Sequence, residues 1–224
     1  MTPDLFDHDD APRDEPLADG AAWLQGFALP HVEALLAGID EVAAAAPLRH
    51  MITPGGHRMS VAMTNCGALG WTSTSAGYRY APADPQTDRS WPAMPDAFLA
   101  LARTAAARVG FDDYAPDCCL VNRYAPGAKL SLHIDRDEED PVSPIVSVSL
   151  GLPATFLWGG FTRSEPTRRL GLRHGDVVVW GGPSRMRYHG VLPLAEGEHP
   201  RTGPARYNLT FRVVRRTQRL AARG

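Results

Sequence analysis

His133 and Asp135 stand one residue apart, and His189 follows 54 positions after the aspartate. Side chains at i and i+2 of a β-strand project from the same face. An imidazole and a carboxylate can therefore reach one ion there while Ile134 turns away. The second imidazole must arrive on another strand. Two histidines and one carboxylate on one side of an ion leave its other positions open, a ligand set that suits a ferrous centre binding a cosubstrate and dioxygen. The chain carries 8 histidines, and a surface His beside a turn aspartate would read the same way, so the neighbouring residues have to decide.

Near the C-terminal end, Tyr207, Leu209, Phe211 and Val213 alternate with Arg206, Asn208, Thr210 and Arg212. One strand face is apolar and the other carries two guanidinium groups. That polar face either meets water or lines a barrel interior. In the interior the arginines need anionic partners, because an unpaired buried charge is costly. A dicarboxylic acid gripped in bidentate fashion would satisfy both. Asn122 and Tyr124 also share a strand face by their spacing. They offer an amide and a phenol, either to their own strand neighbours or to a ligand carboxylate.

The elements that must position these groups change character along the chain. Helical spacing of apolar residues predicts helices over 31–46 and 92–110, with Asp96 near the start of the second and Gly110 near its end. After residue 115 short β-prone runs dominate: CLVNRYA, LSLHID, PIVSVSLGL, ATFLWG, DVVVWGG and RYNLTFRVV, divided by Gly/Pro turns. The expected class is α+β, mainly β: a double-stranded β-helix (jelly roll) core buttressed by N-terminal helices. The expected organisation is an acidic, flexible extension over 1–20, one domain over 21–214 and a basic tail over 215–224. Within the domain, a lid lies near 50–90 and the jelly-roll core near 115–214.

Composition narrows the setting. The net charge is −2, yet residues 1–20 hold seven acidic groups and one Arg, while residues 201–224 hold seven Arg and no acid. A basic face beside an acidic tail would produce this, and so would two solvated ends in an Arg-rich composition with Lys129 as the sole lysine. No apolar run approaches a membrane span, and MTPDLFDHDD lacks the apolar core of a signal peptide. Cys66, Cys118 and Cys119 form neither a disulfide framework nor a zinc spacing. A cytoplasmic protein with reduced thiols is expected, monomeric by default.

The run from Asn122 to Asp137, NRYAPGAKLSLHIDRD, resembles the AlkB family of alkylated-DNA repair dioxygenases. So do PIVSVSLGLPA (144–154), HGDVVVWGG (174–182), Tyr188-His189-Gly190 and Arg206 to Arg212, with MTNCGALGW (63–71) and SWPAMP (90–95) extending the likeness over roughly 20–214. The resemblance implies that His133, Asp135 and His189 bind Fe(II). It implies that Arg206 and Arg212 hold the two ends of 2-oxoglutarate, assisted by Asn122, Tyr124 and Asn208. Dioxygen and the cosubstrate then give succinate, carbon dioxide and a hydroxylated N-alkyl carbon, and the hemiaminal collapses to formaldehyde and the repaired base. With a metal carrying the hard step, the protein's task is positioning.

The same resemblance implies a substrate side. The target atom is hidden by base pairing, so the base must be flipped or already single-stranded. Trp71 would stack on it with His133 bordering the other face, and Met63, Tyr78 and Arg163 match lid and nucleic-acid contacts. Asp137, two residues past Asp135, would sit on the same strand face and favour cationic bases such as 1-methyladenine and 3-methylcytosine. Without the resemblance, Trp71 and Tyr78 read as ordinary core residues and Asp137 as part of a solvated DRDEED turn. The chain departs from the familiar pattern at Ser73-Thr74-Ser75-Ala76, smaller and more neutral than expected, and at Ile134. Alkylated DNA is thus the expected partner, with RNA as a further substrate class and no membrane. The competing readings are the same chemistry on RNA, protein or a small molecule, a non-catalytic nucleic-acid binder, and a zinc hydrolase that lacks an evident general base.

Overall fold

The computed structural model describes residues 13–215. In chain order its elements are β1 (Arg13–Ala18), β2 (Ala21–Gln25), α1 (Val32–Ala45), β3 (Arg49–Ile52), β4 (Arg58–Gly67), β5 (Gly70–Thr74), β6 (Gly77–Ala81), α2 (Asp96–Arg108), β7 (Cys118–Tyr124), β8 (Leu130–His133), β9 (Ile145–Gly151), β10 (Ala154–Trp158), β11 (Arg168–Leu172), β12 (Val177–Trp180), β13 (His189–Val191) and β14 (Arg206–Arg212). An eight-stranded sheet runs β1-β2-β12-β9-β14-β7-β4-β3, a four-stranded sheet runs β11-β10-β13-β8, and β5 and β6 form a separate hairpin. Every neighbouring pair is antiparallel. This is the mainly-β double-stranded β-helix that the strand pattern predicts.

Alternation along the central strands feeds two cores. Val146, Val148 and Leu150 of β9, Val177 and Val179 of β12, and Leu209 and Phe211 of β14 pack with Leu35, Ile39 and Val42 of α1 and Phe98, Leu101 and Ala105 of α2. Residues of opposite parity, such as Ile145, Val178 and Trp180, join Phe156, Trp158 and Val191 of the smaller sheet. The helices therefore occupy the apolar face of β14. Its polar face is left pointing between the sheets, and Arg206, Asn208, Thr210 and Arg212 are all buried there.

α1 and α2 approach closely where Gly38 lies under Phe98: a Cβ there would stand 2.7 Å from the ring. α2 begins four residues later than its apolar spacing suggests. Pro92 and Pro95 hold the preceding segment extended, with Pro95 at ψ 142°. Gly110 follows the helix at φ +88°, a left-handed conformation that suits glycine.

The N-terminal expectation needs correcting. Residues 13–18, read as flexible, form an edge strand paired with β2. Ion pairs of Asp14 with Arg108 and of Glu15 with Arg168 hold it, and Leu17 and Ala18 pack on the inter-sheet core. Charge that looked like a mark of disorder is matched by arginines distant in sequence. The rest of the predicted acidic extension, and the basic tail from residue 216 onward, lie outside the described residues.

Candidate metal and cosubstrate site

β8 and β13 are neighbours in the smaller sheet, and His133 is the direct cross-strand partner of His189. Their ring centroids lie 4.4 Å apart. β8 ends at His133, so Asp135 and Asp137 do not continue one strand face as their spacing suggests. The chain leaves the sheet at Ile134, and a loop returns the Asp135 carboxylate to the histidines. Its oxygens lie 3.4 Å from His133 Nε2 and 3.8 Å from His189 Nε2. One ligand atom from each of the three residues falls within 4.8 Å of the others, the one such cluster among the described residues.

The ring orientations suit a metal. His133 Nδ1 lies 2.8 Å from the Ser131 carbonyl and His189 Nδ1 lies 3.1 Å from the Arg187 carbonyl. Each Nδ1–H donates to backbone, which leaves both Nε2 lone pairs facing the centre. Burial, reinforced by the neighbouring His133, pushes His189 down to about 3, so it is neutral. Burial opposes charge on both His133 and Asp135. The nearby Asp135 carboxylate nonetheless raises His133, and Arg212 with the two imidazoles holds the Asp135 carboxyl well below the usual range. A neutral imidazole and an ionised carboxylate are the forms that ligate.

The two arginines of β14 differ. Arg212 already has anions: its Nη2 donates to Asp135 Oδ2 at 2.6 Å, and its Nε lies 3.3 Å from Glu138 Oε1. Arg206 has none. It is 1 % exposed, stacks its guanidinium 4.9 Å over the Tyr124 ring and donates Nη2 to Ser149 Oγ at 2.9 Å. Its Nε and Nη1 have no partner among the described residues, and neither does Asn122 Oδ1. Burial lowers the Arg206 pKa, and Tyr124 offsets part of that. A buried cation with free donors calls for an anion. Asn208 sits beside it, donating to Ser147 Oγ at 2.8 Å and accepting from Thr210 Oγ1 at 2.8 Å.

One cavity of about 800 Å³ is lined by every site residue expected from the sequence: His133, Asp135, His189, Asn122, Tyr124, Arg206, Asn208, Arg212, Met63, Trp71, Tyr78, Asp137 and Arg163. Met63 is buried, while Tyr78 is 48 % exposed at the rim. Trp71 and Tyr78 project from the β5–β6 hairpin and stack on each other at 5.3 Å with planes 20° apart. Trp71 Nε1 donates to Asp137 Oδ2 at 3.3 Å. Arg163 and Asp137 are exposed at the mouth.

Four lining or supporting residues escaped the sequence reading. Ser147 and Ser149 sit at alternate positions of an otherwise apolar run, VSVSL, which is a readable sign of a polar inner face. Glu138 and Arg185 gave no such sign.

A profile of the 2OG-Fe(II) oxygenase superfamily matches residues 20–212. The chain belongs to this superfamily. It is 59 % identical over 209 residues to the alpha-ketoglutarate-dependent dioxygenase AlkB of Escherichia coli, covering 93 % of this chain and 96 % of that one. It is 40 % identical over 107 residues to the DNA N(6)-methyladenine demethylase ALKBH1A of Arabidopsis thaliana, covering 47 % of this chain and 31 % of that one. The solved structure of OsALKBH1 superposes with a TM-score of 0.77 at 27 % identity, over 90 % of this chain and all of that one. As a 2OG-Fe(II) oxygenase the chain uses Fe(II), with 2-oxoglutarate (alpha-ketoglutarate) and dioxygen as cosubstrates. No helix among the described residues is long and apolar enough to cross a membrane.

Proposed function

We propose that this dioxygenase removes alkyl groups from N-alkylated bases, 1-methyladenine and 3-methylcytosine among them, in DNA and also in RNA. The observation that carries the reading is the sharing of one cavity. The His133–Asp135–His189 cluster lies within it with Arg206, whose Nε and Nη1 have no partner among the described residues, and a Trp71–Tyr78 pair stands at its mouth with the Asp137 carboxylate.

His133, Asp135 and His189 would hold the iron, which when bound supplies the oxidising chemistry that joins one oxygen atom of O₂ to the alkyl carbon and the other to the succinate formed from 2-oxoglutarate. Arg206 pairs with the distal carboxylate of the cosubstrate, replacing the anion that its burial demands. Tyr124, Asn122 and Asn208 complete that subsite. Arg212 orients Asp135 and faces the keto-acid end. Met63 and Trp71 bound the base pocket, Tyr78 and Arg163 meet the flanking strand, and Asp137 favours a ring that carries positive charge. The base must leave the stack to enter, so single strands and flipped bases are the forms taken. The hydroxylated alkyl carbon, a hemiaminal, then breaks its bond to the ring nitrogen, which for a methyl group releases formaldehyde and the unmodified base. Likeness to proteins named as a dioxygenase AlkB and as a DNA demethylase supports this substrate class. Three free, buried cysteines fit a reducing, cytoplasmic setting, and the chain acts as a monomer.

The test is anaerobic titration with Fe(II) and 2-oxoglutarate, followed by oxygen and a methylated oligonucleotide. A loss of one methylene in product mass, with equimolar formaldehyde and succinate, is expected. Succinate formation without any change in methylated DNA or RNA would reject the substrate. Competition between methylated DNA and RNA strands ranks the two.

A further inference from the structure

Glu138 belongs to an acidic run that reads as solvated, yet its side chain is 2 % exposed. Its two oxygens hold three partners. Oε1 accepts the Tyr80 hydroxyl at 2.5 Å and faces Arg212 Nε at 3.3 Å, and Oε2 accepts Arg185 Nη2 at 2.8 Å. Both guanidiniums then reach Asp135. Arg185 Nη1 donates to its backbone carbonyl at 2.7 Å, and Arg212 Nη2 donates to its carboxylate at 2.6 Å. The two cations and two anions balance, which offsets the cost of burying them. Asp135 is thus clamped at main chain and side chain by two groups that share one carboxylate.

Tyr80 brings in the lid. It lies on β6 as the cross-strand partner of Trp71 on β5, and Trp71 itself donates to Asp137. Two residues of the hairpin that carries the aromatic pair therefore grip two consecutive residues of the loop after Asp135.

We infer that Glu138 is a positioning residue, fastening the β5–β6 lid hairpin to the loop that carries Asp135 so that filling the metal centre and seating the lid favour each other. The inference rests on the proposed function. Arg185 and Arg212 hold Asp135 in the position from which a metal would draw on it, and Glu138 ties both guanidiniums to Tyr80. Coupling of this kind is reciprocal: whatever the metal contributes to the lid's order, the lid contributes to the metal's affinity.

Tyr80→Phe keeps the ring and removes the hydroxyl, and Glu138→Gln keeps the shape and removes the charge. Two quantities are read in the full chain: anaerobic Fe(II) affinity in the presence of 2-oxoglutarate, and amide hydrogen exchange over residues 70–81 with and without both. In the parent, Fe(II) and 2-oxoglutarate should slow exchange in the hairpin. In Tyr80→Phe that slowing should vanish and Fe(II) affinity fall about ten-fold, the lower end of the effect of removing outer partners of metal ligands. Glu138→Gln should do the same where it folds. A purely structural contact would lower the melting temperature and leave the hairpin's response to metal intact. That result, or parent-like Fe(II) affinity in Tyr80→Phe, overturns the inference. A parent that binds no Fe(II) with 2-oxoglutarate overturns the functional reading first, and this one with it.

Discussion

His133 and His189 face each other directly across β8 and β13, with both Nδ1 atoms turned to backbone carbonyls two residues earlier in the chain. The imidazoles are therefore aimed before any ion arrives, and Asp135 completes the set from a loop rather than from the sheet. Such a centre owes its direction to strand pairing and its charge to one carboxylate.

That division predicts the outcome of Asp135→Ala. The paired histidines and both sheets remain, so the far-ultraviolet dichroism should match the parent. Arg212 keeps Glu138 as its anion, which limits the destabilisation below the roughly 3–5 kcal/mol of a fully orphaned buried charge. Fe(II) binding and formaldehyde release should both disappear. Measurable turnover in this variant would remove Asp135 from the ligand set.

Arg206 predicts a trade between stability and binding. A desolvated guanidinium with two free nitrogens disfavours the ligand-free fold, whereas an apolar side chain of similar length would not. Arg206→Met should melt at a higher temperature than the parent when no cosubstrate is present. It should also lose the rise in melting temperature that 2-oxoglutarate gives the parent by binding the native state. The KM for 2-oxoglutarate should climb about 10- to 100-fold, the loss of roughly one hydrogen bond to a charged group. An unchanged KM would place the cosubstrate elsewhere.

Why some of this was legible in the sequence and some was not has physical causes. Strict alternation in β14 revealed which residues share a face, but not which face is inside. That depends on α1 and α2 covering Leu209 and Phe211, a fact of tertiary structure. β13 is three residues long and has no pattern of its own. It exists because β8 and β10 flank it, so His189 could be assigned to a strand only by the chemistry it must share with His133. β1 was missed for the opposite reason: its charges looked like solvation until Arg108 and Arg168 came into reach. Glu138 was hidden among four acidic neighbours, and nothing local distinguishes this carboxylate as one that turns inward.

Asp137 predicts selectivity by charge. It is exposed and anchored by the Trp71 indole, so its field is screened by water. An interaction of about 1 kcal/mol with a cationic ring at 4 Å is the scale expected. Asp137→Asn should lower kcat/KM for 3-methylcytosine about five-fold while leaving an uncharged alkylated base nearly unaffected. Equal losses on both substrates would assign Asp137 to holding Trp71 rather than to reading charge.

His174 predicts a pH dependence that originates away from the metal centre. Its Nδ1 accepts the Gly151 N–H at 2.8 Å, a bond that only the unprotonated nitrogen can make. Burial lowers its pKa, with His199 and Arg201 adding to the effect. The unfolded chain therefore takes up a proton near the ordinary value of about 6.5, while the folded chain resists. The stabilisation is complete above that pH and is lost progressively as pH falls toward the lowered folded value. His174→Gln removes the titration and keeps a side-chain acceptor. Parent and variant share the contribution of His189, which is also held neutral, so their difference isolates His174. Denaturant unfolding of metal-free protein at a series of pH values should show a steeper loss on the acid side in the parent than in His174→Gln. Parallel curves would mean that the Gly151 bond survives protonation by a change of ring orientation, and His174 would then contribute nothing to acid sensitivity.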